Sequence, residues 1–256
     1  MSNRESTRIA LITGGSRGLG RSMALHLAEH GVDLILTYRS AEKEAQEVVA
    51  AAQKLGRKAV ALRLDSADSA SFAGFVEGVR ARLQEVWQRD RFDFLVNNAG
   101  IGAHAAFMEA TEAQFDALVA TNLKGPFFLA QRLVPLLADG GRVLNVSSGL
   151  TRFTFPGYAA YAMTKGAIEV MTRYMAKELA ARGITVNTLA PGAIETDFGG
   201  GAVRDNRDIN KAIAAQTALG RVGLPDDIGR AAALLLAPEA SWLTGQRLEF
   251  SGGMLL

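Results

Sequence analysis

Arg8-Ile9-Ala10-Leu11-Ile12-Thr13-Gly14-Gly15-Ser16-Arg17-Gly18-Leu19-Gly20 joins a short apolar run to a glycine-rich turn, and from Leu19 to His30 the pattern becomes helical. Glycines at 14, 18 and 20 leave room for the backbone to approach a bulky anion. A helix starting directly behind them offers that anion unpaired N–H groups and the positive end of its dipole. A glycine-rich turn alone marks no more than a tight turn. Its position between a first strand and a first helix is the context that a diphosphate-binding turn requires.

Downstream, apolar runs alternate with helical segments. Strands are expected at Arg8–Ile12, Asp33–Tyr38, Ala59–Leu64, Phe92–Asn97, Arg142–Ser147, Ile184–Leu189 and Arg247–Phe250. Helices are expected at Leu19–His30, Glu42–Leu55, Ser69–Gln88, Glu112–Ala138, Tyr158–Ala181 and Asp226–Leu236. Such alternation demands a parallel sheet covered on both faces, because each crossover must return the chain to the same end. Gly56, Gly140-Gly141 and Gly183 fall where helices should stop, and Thr111 with Gln114 has the spacing of a capping box. With no linker, low-complexity tract or repeat in view, the expectation is a single doubly wound α/β domain of Rossmann type over 1–256, with a seven-stranded parallel sheet. The segment Gly192 to Gly220, containing Gly199-Gly200-Gly201, reads as a mobile flap over a cleft.

The 256 residues are 48% hydrophobic and 21% charged, which suits a continuous core with room for a ligand cleft. Twenty-eight basic and 26 acidic residues nearly cancel and are interspersed, so no nucleic-acid footprint is visible. The absence of cysteine removes disulfides, thiolate nucleophiles and cysteine-bound metal, and suits a reducing compartment. Met1 to Arg8 is polar and the apolar run Ile9 to Ile12 is too short for a signal-peptide core or a membrane span, so a cytoplasmic address is expected and no membrane partner. His26 and His30 are four apart on an expected helix, the spacing of paired metal ligands. No third ligand accompanies them, so they are read as solvated positions and no metal is expected.

The spacing G-x-x-x-G-x-G resembles the turn of the short-chain dehydrogenase/reductase family, and further motifs in the family's order extend the resemblance from near residue 8 to residue 253. Asn97-Asn98-Ala99-Gly100 follows the fourth strand, Asn122 sits in the next helix, and Ser148 ends the fifth strand. Tyr161-Ala162-Met163-Thr164-Lys165 opens the helix after it, and Pro191-Gly192 with Ile194 and Thr196 follows the sixth strand. The members most similar in impression are the 3-oxoacyl-carrier-protein reductase-like ones. The resemblance implies an oxidoreductase that moves a hydride between a nicotinamide and a carbonyl or alcohol.

It also implies roles. Tyr161 would give its proton to the substrate oxygen in reduction and take it back in oxidation. Lys165, one helical turn on, would lower the phenol's pKa and hold the nicotinamide ribose. An ammonium about 5 Å away at an effective dielectric of about 20 contributes about 3 kcal/mol, or about 2 pKa units. Ser148 would orient the substrate oxygen. Ser147 adjoins it, but alternate strand residues face opposite sides, and the spacing to Tyr161 selects Ser148. Asn122 would anchor a water linking Lys165 to solvent.

At the end of the second strand, where NAD-preferring members usually carry an aspartate, this sequence has Tyr38, followed by Arg39. Arg39 and Arg17 could converge on a 2′-phosphate, so the expected cofactor is NADP(H). Gly14, Ser16, Arg17, Gly18, Leu19 and Gly20 would hold the diphosphate. Asp65 and Ser66 would flank the adenine, with Asp65 equally readable as a cap for the next segment. Asn98, Ala99 and Gly100 would lie beside the adenine ribose, and Pro191, Gly192, Ile194 and Thr196 near the carboxamide. Leu150, Phe153, Phe155, Tyr158 and Phe198 are the expected substrate pocket, for a small-molecule carbonyl or alcohol.

The sequence departs from the family in Ser251-Gly252-Gly253, where many relatives carry aspartate before the glycines, and in a long Ser69 to Asp90 segment. Relatives commonly form tetramers, so a homo-oligomer, tetramer or dimer, is expected, with Met254-Leu255-Leu256 buried against another subunit. Reduction of C=N bonds or of steroid- or sugar-like substrates is the alternative on the same residues. A nucleotide-sensing regulator without turnover is the alternative from another class.

Overall fold

The computed structural model describes residues 7–256, so most of the polar opening segment Met1 to Arg8 lies outside the described residues. Seven parallel strands form one sheet in the order β3-β2-β1-β4-β5-β6-β7, with β1 at Ile9–Ile12, β2 at Asp33–Tyr38, β3 at Ala59–Arg63, β4 at Phe92–Asn97, β5 at Leu137–Val146, β6 at Thr185–Pro191 and β7 at Arg247–Phe250. The alternation of strand residues sorts the core into two halves. Ala10, Ile12, Leu34 and Leu36 point to one face, covered by helices α1 (Gly18–Glu29), α2 (Glu42–Lys54) and α9 (Pro225–Leu236). Ile9, Leu11, Ile35 and Leu95 point to the other, covered by α3 (Phe72–Arg82), α5 (Gly125–Leu133) and α6 (Ala159–Leu179). Burial on both faces explains why these strands read as unbroken apolar runs.

Outside the stretch from Glu112 to the start of β5, strand and helix ends agree with the sequence expectation to within a few residues, and the Thr111 to Gln114 capping box is present at the start of α4 (Glu112–Val119). The segment Glu112 to Ala138 is not one helix. It passes from α4 through a π-helical turn, Ala120–Lys124, into α5, then a 3-10 turn, and Leu137-Ala138 already belong to β5. The break falls where Gly125 packs so closely on the Ser66 carbonyl that a Cβ would overlap it, and where Pro126 has no N–H to give. Gly140-Gly141 therefore lies inside the irregular start of β5, past a register shift between Phe92 and Phe94, and does not end a helix.

Two further expectations are corrected. The flap segment contains two helices, α7 (Ala202–Asp205) and α8 (Arg207–Ala215), the second capped by Asn206, whose side chain accepts from the N–H groups of Asp208 and Ile209. His26 is not solvated. It lies at the α1–α9 crossing, its Nδ1 2.9 Å from Glu29 and its Nε2 3.5 Å from Asp226. Gly229 of α9 leaves the space that His26 and Ser22 occupy. Among the described residues no helix is long and apolar enough to cross a membrane.

Candidate active site

The strand order runs outward in both directions from the β1–β4 pair, the switch point where doubly wound sheets bind ligands. There the strand ends open onto a cleft of about 620 Å³. Gly14 and Gly18 take left-handed backbone angles, φ 64° and 54°, that only glycine adopts without strain. Thr13 accepts at Oγ1 from the backbone N–H groups of Asn98 and Ala99, at 2.9 and 3.0 Å, while Asn98 Nδ2 donates to the Thr13 and Gly14 carbonyls. The β1 and β4 turns are thus stapled together. Arg17, at the N-cap of α1, makes no side-chain cap bond, and the first turn holds no acid, so the N–H groups of α1 are left for a ligand.

Tyr38, Arg39 and Arg17 stand at the same end of the cleft. Burial raises the Tyr38 pKa, and its hydrogen bond to Glu42 adds to that. Arg17 and Arg39 are exposed, and neither has an ion pair or hydrogen bond among the described residues. Asp65 Oδ1 accepts from Ala67 N–H at 2.9 Å, the capping role, while the residue still lines the cleft beside Ser66. Free N–H groups, two unpaired guanidiniums and a cleft of this size fit a phosphorylated dinucleotide.

At the other end, β5 delivers Ser148 and α6 delivers Tyr161 and Lys165. Ser148 and Tyr161 line the same cleft; Ser148 Oγ accepts from the Leu150 N–H at 3.2 Å, and the serine side chain acts on the phenol so as to lower its pKa. Lys165 Nζ lies 5.8 Å from the centre of the phenol ring and donates to the Val146 carbonyl at 3.0 Å. Alternation along β5 sends Ser147 the other way, to Glu169. Burial dominates the electrostatics. It raises the Tyr161 pKa well above its ordinary value, against the lowering effect of Ser148, and the nearby Tyr158 adds to the rise. It also lowers Lys165 to about 8. The expectation that the ammonium lowers the phenol by about 2 units is therefore corrected, because desolvation penalises both charged forms.

Every other residue expected at the site lines the cleft, including Pro191, Gly192, Ile194, Thr196, Leu150, Phe153, Phe155, Tyr158 and Phe198; Asn122 does not. It is 1% exposed, in the π-turn, with its side chain engaged at both ends by the Ile101 backbone, at 2.9 Å each, and by Thr164. A π-turn inside a helix often marks a functional site. The substrate end is aromatic: the Tyr161 and Phe198 ring centres are 5.6 Å apart, those of Phe153 and Phe155 5.9 Å, and Phe198 lies over the bare backbone of Gly102.

Sequence reasoning missed Val203, Ile209, Ile213, Gln216 and Met254, which also line the cleft. Ile209, Ala212 and Ile213 recur with helical spacing, with Gln216 one turn on, and could have revealed α8. Met254 is 2% exposed and pairs with Thr217 of its own chain, so its burial needs no second subunit. Leu256 is 95% exposed.

A family model described as enoyl-(acyl carrier protein) reductase matches residues 14–255. A hydroxynaphthalene reductase-like protein, Arp2, of Metarhizium brunneum is 37% identical, over 96% of this chain and 94% of its own. The structure of the promiscuous reductase LugOII, which catalyses keto-reduction at C1 during lugdunomycin biosynthesis, is 39% identical and superposes with a TM-score of 0.93, covering 99% of this chain and 100% of that one. The angucycline C-6 ketoreductase LanV with bound NADP gives 35% identity and a TM-score of 0.92, over 98% and 96%. The turn, the strand order and these likenesses agree: the chain belongs to the short-chain dehydrogenase/reductase family, classical type.

Proposed function

We propose that this chain is an NADP(H)-dependent oxidoreductase that interconverts a carbonyl and an alcohol, with Tyr161 as the general acid and base. The observation that carries the reading is the meeting of Tyr161, Ser148 and Lys165 in the cleft that also contains the glycine turn. Bound NADP(H) supplies or takes up the hydride. Gly14, Ser16, Gly18, Leu19 and Gly20 hold its diphosphate, and Arg17 and Arg39 its 2′-phosphate. In reduction, Ser148 Oγ orients the substrate oxygen and Tyr161 donates its proton to it as the carbonyl carbon receives the hydride; oxidation reverses both transfers. A raised phenol pKa keeps Tyr161 protonated at neutral pH, the form that reduction needs. Lys165 holds the ribose hydroxyls. Asn122, its side chain held by the Ile101 backbone, helps to anchor a solvent path to Lys165.

The substrate we assign is a flat, fused-ring aromatic ketone. Phe153, Phe155, Tyr158 and Phe198 supply ring faces around the Tyr161 hydroxyl, and the names of Arp2, LugOII and LanV point to related substrates. Residues 192–220 form the flap over this end. We further assign a homo-oligomeric state, tetramer or dimer, supported by the exposed apolar residues Phe115, Phe127, Met163, Val170 and Tyr174 on α4 to α6. A cytoplasmic address accords with the cysteine-free sequence.

NADPH consumption with bicyclic and polycyclic aromatic ketones tests the reading. Turnover is expected with NADPH in preference to NADH. Tyr161→Phe is expected to lose at least about a hundredfold in kcat, the low end for a positioned proton donor, while still binding NADPH. A Tyr161→Phe enzyme with near wild-type turnover rules out the mechanism.

A further inference from the structure

We infer that Glu169 is a positioning residue, holding the Ser148 turn in register with Tyr161 and balanced by Arg247. The inference rests on the reading of Tyr161 and Ser148 given above. Tyr161, Lys165 and Glu169 follow one another at intervals of four along α6, so they share a face of that helix. The first two face the cleft. Glu169 stands behind them with its side chain 14% exposed.

One oxygen of this carboxylate collects three donors. Ser147 Oγ and Thr151 Oγ1 each approach Glu169 Oε1 at 2.7 Å, and Arg247 Nε at 2.8 Å. Ser147 precedes Ser148, and Thr151 closes the 3-10 turn, Gly149–Thr151, that follows it. Both shoulders of the serine-bearing turn are therefore bonded to the helix that bears the tyrosine. Arg247, on β7, also donates to the Ser148 carbonyl at 3.3 Å and to Glu249 at 3.0 Å.

A carboxylate mostly withdrawn from water is costly and contributes little to stability beyond what an apolar residue of similar size would give. What it adds is direction. Charge-assisted bonds to Ser147 and Thr151 fix where β5 ends relative to the turn of α6 that carries Tyr161. Ser148 reaches the phenol and the substrate oxygen only if that offset is right, and a misplacement of about 1 Å costs about a hundredfold in rate.

Steady-state ketone reduction, with NADPH binding and thermal melting in parallel, tests the inference on three variants of the full chain. Glu169→Ala is expected to lower kcat by about tenfold to a hundredfold with KM and NADPH affinity near those of the wild type. Ser147→Ala combined with Thr151→Val leaves Glu169 in place, removes its two hydroxyl partners, and is expected to lower kcat in the same way. Glu169→Gln keeps an acceptor oxygen and is expected to recover most of the loss. Wild-type kcat in the folded double variant overturns the inference, as does a rise in KM alone. If Glu169→Ala does not fold, the double variant decides. Retained turnover in Tyr161→Phe would instead remove the mechanism on which the inference rests.

Discussion

Lys165 shows how far a residue's surroundings outweigh its spacing in the sequence. Its place one turn from Tyr161 was legible from the spacing alone, as was the choice of Ser148 over Ser147 from strand alternation. The direction of the electrostatic effect was not, because it depends on how much water the fold removes. The lysine falls from its ordinary 10.5 to about 8. Between those values the unfolded chain binds the lysine proton and the folded chain does not, so this group's contribution to stability rises with pH across the window. Tyr161, raised above its ordinary 10.0, acts oppositely once the unfolded phenol ionises, and stability falls above that pH. Melting temperatures of the wild type relative to Lys165→Met should therefore rise from pH 8 to pH 10. A difference that stays flat across that range contradicts the burial argument. Glu169 was not legible at all, since nothing in the local sequence says that Thr151 and Arg247 come to meet it.

β1, β2 and β4, apolar on both faces, were easy to read, and β7, which alternates Arg247-Leu248-Glu249-Phe250 at the sheet edge, also kept its expected bounds. The long segment from Glu112 failed because its apolar period survives the π-turn, although Gly125-Pro126 and Pro135 mark the breaks. The flap helices α7 and α8 were missed because the adjoining glycines dominated the reading. Packing between elements is sharpest where α1 crosses α9. A Cβ at Gly229 would overlap the His26 ring and the Ser22 hydroxyl, and would stand 2.9 Å from the Ser22 carbonyl. Gly229→Ala should cost about 1–3 kcal/mol by overpacking. Urea unfolding followed by circular dichroism measures this; an unchanged or higher midpoint would mean that α9 shifts freely at the crossing.

At the scale of the molecule, seven strands in parallel were legible because alternation of strand and helix allows little else. The strand order and the tail's pairing with Thr217 were not, because both depend on contacts distant in sequence. The apolar residues left bare on α4 to α6 belong to this scale too. Tyr174, 67% exposed, sits among them. Tyr174→Glu places a charge on that face, and light scattering after gel filtration should show a smaller assembly than the wild type. An unaltered mass would place the subunit contact elsewhere.

Gly125 joins distances that the strand order keeps apart. Its backbone leans on the carbonyl of Ser66, which lines the cleft, and it directly follows the π-turn that carries Asn122. A methyl group placed there would have to push the Ser66 carbonyl and the π-turn apart, so a substitution at this one spot is expected to disturb both neighbours at once.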